Sequence, residues 1–278
     1  MNDSTVVPAL LAALAFGTAG CTSSLSGPAD LDEVSIEVHV TGGLAGIDER
    51  IEISGRDRVV ETTCSGACTG GDEVALALTG LQWQDLVDEV FGSGLPQMGE
   101  RDFGTECCDF FEVEITYDDG DHRAVVAGDA NTLPDRLAAL ARRLMALREA
   151  TVPALVRPGA VPGSGPSSPL QIDSLWQSGH RLEVALHYSG GCEAHGIDLL
   201  FDAEWRESFP VQTTAWLTHH DPGDMCDALP HEVRGFDLTR FFETYRASYP
   251  GSAAGTPISV GITAPGDSTV HTIEVLLP

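Results

Sequence analysis

The sequence predicts two β-containing units in tandem: an α+β domain, built from a small antiparallel sheet with helices, and then an all-β, sandwich-like domain. Three observations carry this. Alternating apolar and polar residues recur in short runs, as half-buried strands require. Two stretches with helical spacing fall in the first half of the chain. Between the halves, 151–169 holds Pro153, Pro158, Pro162, Pro166 and Pro169 with Gly159, Gly163 and Gly165, the composition of a linker. The expected divisions are a leader over 1–20, a flexible tether over 21–33, an α+β unit over 34–150, the linker over 151–169 and the β-sandwich over 170–278, each unit being of ordinary domain size.

In the first unit, Val34, Ile36, Val38 and Val40 share one face of a strand, and Gly42, Gly43 and Gly46 break it. Short strands follow at 50–54 and 58–62 around Gly55, then at 74–78. Residues 81–91 place Trp83, Leu86, Val87, Val90 and Phe91 at helical spacing. Phe111, Val113, Ile115 and Tyr117 alternate, 118–121 reads Asp-Asp-Gly-Asp, and 124–127 returns, which predicts a hairpin. Pro134 opens a helix to about residue 148, with Leu133, Leu137, Leu140, Leu144 and Leu147 on one stripe and Thr132 as its expected N-cap.

In the second unit, strands are expected at 182–187, within 197–201 and within 211–217. A closing hairpin joins 258–262 to 270–276 across Ala264-Pro265-Gly266-Asp267, and the one helix falls at 236–246. Trp205 and Trp216 do not reproduce the Cys…Trp…Cys spacing of antibody domains, so the likeness is to sandwich architecture only.

The 278-residue chain carries 42 acidic and 15 basic side chains, for a formal charge of −27, and every basic residue is Arg. That balance repels the anionic backbone of nucleic acid and does not dock on anionic lipid. Residues 6–20 form an apolar stretch too short for a bilayer span of about 20 residues, as in a secretory leader. Thr18-Ala19-Gly20-Cys21 is similar to the lipobox of bacterial lipoproteins, which implies lipidation at Cys21, a membrane link through that lipid, and a place in the cell envelope facing the extracytoplasmic side. Oligomeric state leaves no mark in the sequence.

With Cys21 assigned to an anchor, six of the seven cysteines remain. In an oxidising compartment these give three disulfides. Cys64 and Cys68 face Cys107 and Cys108 in either of two pairings, and Cys192 pairs with Cys226. No cofactor is expected. The alternatives are zinc, with thiolates of the first set or with Cys192, Cys226 and histidine as ligands, or a divalent metal held beside the second disulfide by His195, His219, His220 and Asp224. The preferred reading of these histidines is as surface residues beside a disulfide.

Catalytic spacing is absent. His231-Glu232 begins a zinc-peptidase pattern, but Gly235 stands where its second histidine belongs. There is no GxSxG elbow and no phosphate-binding glycine loop, so a non-enzyme is expected.

Thr41-Gly42-Gly43-Leu44-Ala45-Gly46-Ile47, and Phe111 to Gly120 continued by Asp129 and Pro134 into an amphipathic helix, carry a family resemblance. Over residues 34–149 the chain resembles emfourin, a small protein inhibitor of thermolysin-like metallopeptidases. The resemblance implies a small sheet against helices, a secreted metallopeptidase as partner, and contact through Gly42, Gly43 and Gly46. Its alternatives are a structural envelope lipoprotein on the same scaffold, or a metal-binding protein using the second-half cluster.

Overall fold

The computed structural model describes residues 30–43, 46–66, 76–105, 111–129, 131–159 and 167–278. The leader, Cys21, most of the tether, Cys68, Cys107, Cys108 and residues 160–166 of the expected linker lie outside them.

The protein is β-rich. Its strands are β1 (Ser35–Gly42), β2 (Ile47–Ser54), β3 (Val59–Ser65), β4 (Leu76–Ala77), β5 (Glu100–Asp102), β6 (Phe111–Asp118), β7 (Arg123–Gly128), β8 (Thr151–Pro153), β9 (Leu155–Val156), β10 (Leu170–Ser178), β11 (Arg181–Tyr188), β12 (Gly196–Phe201), β13 (Val211–His220), β14 (His231–Asp237), β15 (Pro257–Thr263) and β16 (His271–Leu276). Among the described residues three α-helices accompany them: α1 (Gly80–Ser93), α2 (Asp135–Ala146) and α3 (Thr239–Ser248).

Alternation explains the best-formed strands. Val34, Ile36, Val38 and Val40 are all buried, and β1 runs antiparallel to β2 on one side and β6 on the other. The expected β6–β7 and β15–β16 hairpins are both present. On α2, Leu137, Leu140 and Leu144 are fully buried, as their shared stripe requires.

The strands form a 12-stranded sheet in the order β16-β15-β13-β12-β4-β3-β2-β1-β6-β7-β5, with β9 beside β12, and a 4-stranded sheet in the order β10-β11-β14-β8. The larger sheet passes from one half of the sequence to the other where β4 pairs with β12. One apolar cluster runs from Val34 to Leu277. The structure therefore has a shared sheet and a shared core where the sequence suggested a boundary between an α+β unit and a sandwich.

The first part of the expected linker is also folded. Val152 and Ala154 have no exposed surface, and Leu155 has almost none. β8 runs beside β14, and β9 beside β12. Pro153 is tolerated because β8 is the edge strand of its sheet. The apolar residues between the prolines outweigh the prolines themselves.

Polar contacts reinforce the join. Thr79 caps α1 in a reciprocal box with Gln82. Its hydroxyl donates to Asp198 Oδ1 at 2.5 Å, while Gln82 Nε2 donates to the Ile197 carbonyl at 2.8 Å. Asp85 of α1 is clamped by Arg143 of α2 and Arg240 of α3. Burial alone would raise the Asp85 carboxyl, but the two guanidinium groups outweigh it and hold the group below the usual carboxylate range.

Two local expectations change. Thr132 does not cap α2; its hydroxyl accepts from the Asp129 N–H and donates to the Gly104 carbonyl, and Pro134 stands at the cap position. The second-half helix begins at Thr239, because Phe236 still belongs to β14.

A candidate site at the disulfide-bridged loop

The segment 189–195 and the loop after β13 meet at one end of the smaller sheet. Cys192 and Cys226 are bonded, with Cα atoms 6.0 Å apart and a sequence separation of 34. That bond excludes a zinc set using these two thiols. Cys64 is disulfide-bonded as well, whereas the expectations for Cys68, Cys107 and Cys108 fall outside the described residues.

Asp224 organises this loop. Its Oδ2 accepts the backbone N–H groups of Gly191 (2.6 Å), Cys192 (2.7 Å) and Glu193 (3.1 Å), and its Oδ1 accepts that of Cys226 (2.9 Å). Successive N–H groups converging in this way make an anion-binding nest, and here the protein's own carboxylate fills it. The N–H of Cys226, followed by those of Glu193 and Cys192, holds the Asp224 carboxyl well below the ordinary range. Gly190 makes the approach possible: at φ +122° it sits where a Cβ would lie 2.9 Å from the His195 ring and 3.2 Å from Asp224 Oδ2. The Ser189-to-His195 motif is thus a packing and hydrogen-bonding device.

His195 and His219 are not surface residues; each is only 1% exposed. Their rings stack with centroids 5.0 Å apart, and Tyr188 stacks on His195 at 4.6 Å. His219 Nδ1 lies 3.3 Å from the carbonyl oxygens of Ser168 and Pro169. Carbonyls only accept, so Nδ1 carries the proton and Nε2 is left to accept. His195 Nδ1 supplies that donor at 2.7 Å, and His195 Nε2 faces Asp224 Oδ2 at 3.4 Å. Burial, followed by the neighbouring His195, pushes the His219 imidazole below its usual range. Burial, followed by Glu232, pushes the Tyr188 phenol up to about 12.

The set His195, His219, His220 and Asp224 therefore does not converge on a metal. The 2.7 Å contact of His195 Nδ1 with His219 Nε2 is a hydrogen bond, and His195 turns its other nitrogen, Nε2, toward Asp224, so no one nitrogen of His195 shares a centre with both partners. His220, the next residue along β13, points to the opposite face, where its Nε2 lies 3.3 Å from the buried Asp198.

Beside this cluster opens a cavity of about 500 Å³, lined by Tyr188, His187, Gln171, Asp221, Asp224 and Leu229 among others. Met225 is 95% exposed and Leu229 58% exposed on the bridged loop.

The three glycines expected to contact a partner have a local explanation. Gly42, Gly43 and Gly46 adopt φ values of 120°, 69° and 62°. Gly46 N–H donates to the Gly43 carbonyl at 3.0 Å, closing the β1–β2 turn. A Cβ on Gly43 would lie 2.8 Å from the half-exposed Phe111 ring. Among the described residues, no helix is long and apolar enough to cross a membrane.

No protein-family model matches the chain, and no curated protein matches it. Among solved structures it is similar to a NigD-like immunity protein from Bacteroides caccae, at 12% identity and a TM-score of 0.31, over 87% of this chain and 97% of that one. It is also similar to a Bacteroides vulgatus protein of unknown function, at 11% identity and a TM-score of 0.33, over 88% and 91% of the two chains. Likenesses this loose carry no functional argument.

Proposed function

We propose that this chain is a non-catalytic binding protein of the cell envelope, tethered through lipid on Cys21, which meets its partner at the bridged loop and the cavity beside it. The observation that carries this is a contrast within one site. The His195 and His219 rings are buried and, with the almost wholly covered carboxylate of Asp224 at the cavity's edge, are committed to one another. The loop they support exposes Met225 and Leu229. Exposed apolar side chains beside a concavity are what a protein partner uses. Labelling cells with a palmitate analogue tests the anchor: label on wild type and none on Cys21→Ser is expected. Cross-linking in the envelope tests the surface. A product seen with wild type should be lost with the Met225→Ser/Leu229→Ser double variant, and an unchanged product would count against it.

A second reading has its own observation. The β1–β2 turn presents Gly43 beside Phe111, which is 45% exposed, on the half that resembles emfourin. Under that reading the partner is a secreted thermolysin-like metallopeptidase. Titration against a panel of such peptidases should give stoichiometric inhibition that Phe111→Ala weakens. Full peptidase activity at micromolar protein would dispose of it.

A further inference from the structure

We propose that Asp173, His187 and His231 form a surface site for a first-row divalent metal ion of the zinc class. The three residues come from adjacent strands of the smaller sheet, β10, β11 and β14. His187 and His231 are direct partners in the β11–β14 register, and their rings lie 4.9 Å apart. Asp173 is the extra residue of a β-bulge, where the β10–β11 register shifts between Ile172 and Ser174. Bulges re-aim side chains, and here the carboxylate is brought to both imidazoles.

The geometry is that of a three-donor set. His187 Nδ1 lies 2.9 Å from Asp173 Oδ1, and His231 Nδ1 lies 3.4 Å from Asp173 Oδ2. One ligand atom from each residue falls within 4.8 Å of the other two. Donors around one tetrahedral zinc stand about 3.4 Å apart for bonds of about 2.0–2.1 Å, so small side-chain rotations suffice. Each imidazole would move its ring proton from Nδ1 to Nε2 and offer the freed lone pair to the ion, with no net proton release where both rings are already neutral.

Ordinary surface pairing is the competing explanation, and the rest of the chain supplies the comparison. His39–Asp48, His122–Asp119, His220–Asp198 and His271–Asp267 each join one imidazole to one carboxylate. Among the described residues only Asp173 is shared by two histidines, and it has no arginine partner. Two imidazoles and one carboxylate suit zinc, nickel or copper and not magnesium or calcium, which take mainly oxygen ligands. The site also stands apart from the disulfide: its side chains are 40%, 24% and 63% exposed for Asp173, His187 and His231, leaving further coordination positions open to solvent. His187 lines the neighbouring cavity as well, so a bound ion would sit at its rim.

Calorimetric titration of zinc chloride into untagged, chelator-stripped protein with its disulfides intact tests the site. One equivalent with a micromolar dissociation constant is expected at pH 7.5. His231→Gln and Asp173→Asn should each weaken binding by about tenfold or more, since either removes one of only three protein donors. His122→Gln should leave it unchanged. Zinc should raise the melting temperature of wild type and not of His231→Gln, whose metal-free melting temperature should match wild type because that side chain is largely exposed. Absence of a micromolar equivalent in wild type, or equal binding by His231→Gln, would overturn the proposal.

Discussion

His219 has a protonation state set by its surroundings. Its Nδ1–H donates to two carbonyls, its Nε2 accepts from His195, and its imidazole is held below the normal range, whose reference value is 6.5. The unfolded chain therefore binds a proton at this residue at a higher pH than the folded chain does. Stability is full above the unfolded value and falls as pH drops from about 6.5 toward the folded value. Asp221 opposes the shift from nearby, and His195 adds to it. His219→Gln keeps a donor and an acceptor but cannot titrate. Urea midpoints measured between pH 8 and pH 5 should decline for wild type and change less for the variant; parallel curves would show that His219 is not the group responsible. The sequence nominated His195, His219 and Asp224 as neighbours of the disulfide, and they are. Their burial was not legible, because histidine is polar by type and only packing against Tyr188 reveals these two as interior. Asp173 and His231 were not legible as a pair at all, since nothing in the sequence states a cross-strand register.

Among the elements, legibility followed the inner face. β1, β6, β7, β15 and β16 alternate cleanly and were foreseen. β10 was missed because the bulge at Asp173 shifts the period, leaving Leu170 and Ile172 out of phase with Leu175. β14 was missed because Arg234 occupies an inward position, 1% exposed and paired with Glu232 at 2.6 Å; a charged residue in the core side of a strand hides the alternation. The bridged loop is the element with the largest measurable stake. Closing a loop between cysteines at a sequence separation of 34 restricts the unfolded chain by about 4 kcal/mol in the loop-entropy account. The Cys192→Ser/Cys226→Ser variant should lose stability of that order in denaturant titrations. A loss under about 1 kcal/mol would mean that the Asp224 nest holds the loop unaided.

For the whole molecule, the shared sheet and shared core make a definite statement about cooperativity. Two independent modules would melt in two steps. Here Asp85 is bound by arginines from both halves, Gln82 donates to the Ile197 carbonyl, and one apolar cluster spans the chain. Calorimetry should give a single transition, and Asp85→Ala should lower its midpoint by removing the carboxylate that Arg143 and Arg240 share, at a cost of about 2 kcal/mol with Glu89 still paired to Arg143. Two resolved transitions would show that the junction between β4 and β12 contributes little. The place of β1 carries a further consequence. β1 is zipped along all eight of its residues to β2 on one flank and β6 on the other. Tension arriving from a membrane tether would have to slide β1 lengthwise between its two neighbours, breaking both ladders together. Such shear loading resists force far better than peeling an outer strand one bond at a time.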